Sequence, residues 1–102
     1  MTEKFTRYDT AEYLKTAADM AAYFDACLEE AGDDPAFIAN ALGVIARAHG
    51  MTKLARETGL ARENLYKALS ADGNPEFGTI LKVIKALGLK LHAGIGNTKK
   101  AA

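Results

Sequence analysis

The segment LARENLYKALS, residues 60–70, sets Arg62, Glu63, Asn64, Tyr66 and Lys67 close together. These types suit contact with nucleic acid. An Arg guanidinium can donate two hydrogen bonds to a guanine edge, an Asn amide matches the donor and acceptor of adenine, and a Lys ammonium neutralises phosphate or contacts guanine. A Tyr at position 66 can hydrogen-bond a phosphate or pack on a thymine methyl, or equally pack against a neighbouring helix. Glu63 repels phosphate, yet it can accept from cytosine or brace Arg62. With Leu65 turned inward and about 100° of rotation per residue, Ala68 and Leu69 stay inward, Glu63 and Lys67 point away, and Asn64 and Tyr66 lie on the flanks. A solvated ion pair accounts for Glu63 and Lys67 as well as DNA contact does, because their i, i+4 spacing is worth about 0.2–0.5 kcal/mol on any exposed helix.

The residues just before this segment decide whether it can be presented to a groove. A helix-turn-helix needs a small residue where its helices cross, a residue tolerant of positive φ in the turn, and apolar residues that lock the crossing. Ala55, Gly59 and the set Leu54, Leu60, Leu65, Ala68 and Leu69 meet these demands. The unit spans about residues 51–70, with MTKLARET as its first helix and RENLYKALS as its second. Arg62 then falls in the first turn of the second helix, the end that enters a major groove, while Thr52, Lys53 and Arg56 fall on the helix that crosses the phosphates.

Neither of these short helices is stable alone, since isolated helices under about 12 residues are marginal; the remaining elements must hold them. Asp9 and Glu12 have capping-box spacing for a first short helix, and Thr16 and Asp19 have it for a second carrying Met20, Phe24 and Leu28 as an apolar stripe. Asp34 and Pro35 read as N-cap and first helical residue of a third, with Phe37, Ile38, Ala41, Leu42 and Ile45 inward and Gly50 as its stop. Gly43 inside it costs about 1 kcal/mol relative to alanine and suits close helix packing. SADGNPEFG is a turn, followed by a last helix with Ile80, Leu81, Ile84 and Leu87 inward and Gly88 as its end. LKLHAGI reads as a short strand or an extended tail segment. The expected fold is all-α: a single domain over residues 1–102, with five to six helices and an N-terminal helical extension.

The chain of 102 residues is long enough for one core. Its apolar runs fall short of the roughly 18 residues of a membrane span, and MTEKFTRYDT lacks the apolar stretch of a secretory signal, so a cytoplasmic protein with no membrane partner is expected. Cys27 stands alone, excluding an internal disulfide and a Cys-based zinc site; it reads as a small apolar helix residue. His49 and His92 lack partners at metal-ligand spacing, and Asp33 and Asp34 are better read as helix punctuation than as a catalytic pair. No nucleophile motif or phosphate-cradling glycine loop is present, so no enzyme and no cofactor are expected.

A formal net charge of zero conceals a division. Residues 1–50 hold four bases against nine acids; residues 51–102 hold nine bases against four acids. The basic half points to a polyanion, and the acidic half to a basic partner.

YDTAEYL, ALGVIARAHGMTKLARETGLARENLYKALS and NPEFGTILKVIKALGLKL, which together extend over roughly residues 8–91, resemble the probable addiction module antidote proteins. This is a Cro/C1-type (lambda repressor-like) helix-turn-helix group among the HigA-like antitoxins. The resemblance implies an antitoxin that binds operator DNA, usually as a homodimer, represses its own operon and neutralises a RelE/ParE-like toxin. It carries DNA contact onto Arg62, Glu63, Asn64, Tyr66 and Lys67. Toxins of this kind are usually basic, which directs attention to the acidic first half, with Phe5, Tyr8, Tyr13 and Leu14, as their surface. Two other readings share the motif: a stand-alone transcriptional regulator without a toxin, and a protein-interaction module in which the helix pair is scaffold. The chain departs from the family's pattern at Ala61, commonly serine, which cannot cap the second helix; such a cap is worth about 1 kcal/mol.

Overall fold

The computed structural model describes residues 13–96. The first helix expected after Asp9 lies outside them. Among the described residues five helices follow one another: α1 (Ala17–Ala31), α2 (Pro35–His49), α3 (Met51–Thr58), α4 (Arg62–Ala68) and α5 (Phe77–Ala86).

α1 and α2 begin where their polar residues can satisfy the open backbone donors of a first turn. The Thr16 hydroxyl accepts from the Asp19 N–H, and the Asp19 carboxylate accepts in return from the Thr16 N–H, both at 3.1 Å. Asp34 accepts from the N–H groups of Ala36 and Phe37 at 3.1 and 3.2 Å, with Pro35 next to it. Asp34 is therefore occupied as a cap.

One hydrophobic cluster joins the helices, centred on Leu42, Val44 and Ile45 of α2, Leu54 of α3, Leu65 of α4 and Val83 and Ile84 of α5. α3 packs against α2, α4 and α5, and α1 packs on α2. α2 is buried along its middle, with Ala39 and every residue from Ala41 to Ala46 out of solvent. That burial leaves no room for side chains at some points. A methyl group at Gly43 would overlap the carbonyl oxygen of Leu69, just beyond α4. The expected close packing at Gly43 is thus an approach between the middle of α2 and the end of α4.

Three inward assignments shift. Phe37 is exposed because it stands in the first turn of α2, ahead of the segment its neighbours cover. On α1 the buried line runs Met20, Phe24, Cys27, leaving Leu28 at the surface. On α5, Val83 takes the place expected for Leu81, which is exposed. In each case a single-residue step of about 100° moves a side chain off a face whose position the neighbours decide. Burial also settles Cys27: desolvation pushes its thiol above the ordinary range, a hydrogen bond with Tyr23 opposes this, and the charge of Glu30 adds to it. A thiol held protonated is a packing group rather than a nucleophile.

LKLHAGI forms no strand. α5 closes with Gly88 at φ 81° and the Leu89 N–H donating to the Ile84 carbonyl at 3.0 Å, after which the chain runs irregularly to Gly96. A strand needs a second strand for its backbone groups, and the described residues supply none.

Candidate nucleic-acid interface

The α3–α4 unit is built around its turn. Gly59 adopts φ 77°, ψ 11° and its N–H donates to the Ala55 carbonyl at 2.9 Å, ending α3. Nothing lies within 4 Å of where a Cβ would stand, so the glycine serves the left-handed backbone and not a close contact. Thr58 pins the same turn: its hydroxyl donates to the Leu54 carbonyl at 2.8 Å and accepts from the Leu60 N–H at 3.3 Å. The pattern of apolar residues carried no sign of this clasp.

α3 enters from a corner at Gly50, where φ is 113°. Across that corner the His49 imidazole meets the Glu57 carboxylate at 2.8 Å, tying the last residue of α2 to the far end of α3. His49 is helix-terminal, as expected, but its partner lies eight residues on and becomes visible only when the corner is formed. Met51 and Leu54 point into the core, while Thr52, Lys53 and Arg56 are exposed.

α4 follows Ala61, which is extended at φ −69°, ψ 142° and makes no side-chain cap. Leu65 is fully buried and Leu69 is 1% exposed. Arg62, Glu63, Asn64, Tyr66 and Lys67 are all at the surface, so the helix separates along the line its sequence suggests. The Arg62 guanidinium lies 5.7 Å from the centre of the Tyr66 ring, near the outer limit of a cation–π contact. Tyr66 therefore steadies Arg62 from one turn along the same helix. Glu63 and Lys67 are not joined in an ion pair among the described residues, although their spacing would allow it. Both polar groups remain available to a ligand.

Two further cations join this region from α5. Lys82 and Lys85 border a shallow cleft of about 530 Å³ with Glu57 and Thr58 at the end of α3. Only the packing of α5 on α3 brings them here.

Of the residues expected to meet a toxin, Phe5 and Tyr8 lie outside the described residues. Tyr13 is 63% exposed, but Leu14 is a core residue at 6% and offers no side-chain surface to a partner. Its apolar character serves folding. No helix among the described residues is long and apolar enough to cross a membrane.

Comparison with known proteins adds a family to this geometry. A family model described as probable addiction module antidote protein matches residues 4–95. An uncharacterized protein of Haemophilus influenzae is 47% identical over 92 residues, which cover 90% of this chain and 93% of that protein. No solved structure gives a significant match.

Proposed function

The chain belongs to the family of probable addiction module antidote proteins, and from that premise we propose that it is a DNA-binding antitoxin. In this reading it neutralises a RelE/ParE-like toxin and represses its own operon as a homodimer, through a Cro/C1-type helix-turn-helix of the HigA-like kind formed by α3 and α4. The membership itself implies a toxin partner and suggests a regulatory protein rather than an enzyme.

The observation that carries DNA binding is the division of α4. Its apolar residues are sealed in the core, while Arg62, Asn64, Tyr66 and Lys67 are all presented at once. In this reading Arg62 and Asn64 contact base edges, with Tyr66 holding the guanidinium plane in place. Lys67, and Thr52, Lys53 and Arg56 on α3, contact phosphates. Glu63 either accepts from cytosine or excludes phosphate from the centre of the helix. Two copies would place two such helices on successive half-sites.

Binding to the DNA upstream of its own gene tests this. A dimer neutralising about 6–10 phosphates loses roughly 10³–10⁵ in affinity between 50 and 200 mM salt. Arg62→Ala should cost about 1–3 kcal/mol on that DNA and change binding to random sequence little. Equal losses on both would take Arg62 out of base readout, and salt-independent or negligible binding would leave the helix pair as scaffold.

A further inference from the structure

From Thr16 to Ala46 the chain contains six acids, Asp19, Asp25, Glu29, Glu30, Asp33 and Asp34, and no Lys, Arg or His. Asp19 and Asp34 are used as caps. Glu29 and Glu30 sit in the last turn of α1, which carries no base. That end of a helix bears the negative pole of its dipole, so acids there are unfavourable and cations are attracted. Among the described residues, Glu29, Glu30 and Asp33 form no ion pair. The molecule thus tolerates a concentration of negative charge at a place where its own backbone opposes it.

An apolar cleft opens beside Asp33, just past the end of α1. Leu28 of α1, Ile38 of α2, Ile80 of α5 and Pro75 from the turn before α5 line it, with Asp33 at its edge, around about 330 Å³. Leu28 is 37% exposed and borders both this cleft and the groove that α1 forms with residues 88–92, whereas Ile38, Pro75 and Ile80 line the cleft and not that groove. An aliphatic floor edged by Asp33, within a stretch that carries no base from Thr16 to Ala46, suits a protein surface that inserts an apolar side chain flanked by Lys or Arg. A nucleic acid would be repelled. A second copy would have to bring its basic half, the half that the proposed DNA contacts require.

We propose that this cleft, between the end of α1, the start of α2 and the turn before α5, is the docking site for the basic toxin partner. This rests on the antitoxin reading above. It places the contact at the opposite end of α1 from Tyr13, and its lining includes none of the side chains proposed to meet DNA.

The test uses the intact chain and the protein encoded by the reading frame adjacent to its own gene, with affinity measured by titration calorimetry. Leu28→Ser should weaken binding about tenfold or more, as expected for an apolar anchor at the centre of an interface. Glu29→Lys with Asp33→Lys should weaken it at least as much and make the remaining binding less sensitive to salt. Glu29→Lys relieves the dipole of α1, while Asp33→Lys gives up a favourable place ahead of the Asp34 cap of α2, so the melting temperature of the free chain should stay about level. Lost affinity at unchanged stability separates docking from misfolding. All variants should keep the wild-type affinity for upstream DNA. Wild-type binding with both variants within about threefold of it overturns the cleft and leaves the antitoxin reading standing. So does loss of binding caused instead by Ala18→Arg, in the groove that α1 forms with residues 88–92. No binding by the wild-type chain overturns both.

Discussion

α1 and α4 are both amphipathic helices with a charged outer surface, yet they are stabilised in opposite ways. α1 has fifteen residues and a complete capping box from Thr16 and Asp19, so its start is written into its own sequence. α4 has seven residues, no side-chain cap, and an exposed row of groups suited to a ligand. It is held from behind by Leu65 and Leu69, and from before by the Thr58 and Gly59 turn. A helix whose surface is reserved for a partner can draw its stability from the buried side and from its connections. The outer residues are then free to be chosen for binding.

The comparison can be broken most sharply at Leu65. Leu65→Ala should cost about 2–5 kcal/mol in chemical denaturation, because a fully buried leucine leaves a cavity that its neighbours fill only in part. A loss below about 1 kcal/mol would mean that α4 is not held through its core face. Gly43→Ala comes next. The added methyl must displace the Leu69 carbonyl, for a loss of about 1–3 kcal/mol, despite the better helix propensity of alanine. A gain in stability would show that α2 and the end of α4 are not in close approach.

The smallest effects sharpen the contrast at the helix starts. Thr16→Ala should cost about 1 kcal/mol by removing a cap, while Ala61→Ser should add about as much by supplying one. For a domain of this size that corresponds to shifts of about 4–8 °C in melting temperature, in opposite directions. An Ala61→Ser protein that melts no higher would put the beginning of α4 elsewhere.

The helix starts at Thr16 and Asp34, the glycine of the α3–α4 turn, and the outward set on α4 were legible because each depends on a few residues close in sequence. Leu28, Phe37 and Leu81 were not. Each is apolar and near a helix's inner face, and only the placement of neighbouring helices decides where that face ends. Leu14 misled for the same reason: an apolar residue among acids resembles a contact until the core that receives it is seen. His49 with Glu57, and Arg62 with Tyr66, show the two distances at which partners can be sought. The second pair has helical i, i+4 spacing and could have been read beforehand. The first spans the Gly50 corner and could not.

By itself the sequence determined the five helices among the described residues, the caps at Thr16 and Asp34, the left-handed turn at Gly59 and which side of α4 carries Arg62, Asn64 and Lys67. These follow from backbone donors, glycine's permitted dihedrals and the helical repeat, all local. Only the tertiary structure decided that Lys82 and Lys85 stand beside α3, that Gly43 receives Leu69, and that an apolar cleft opens between the end of α1, the start of α2 and the turn before α5. Those features are made by segments distant in the chain, whose approach is set by the packing of one shared core.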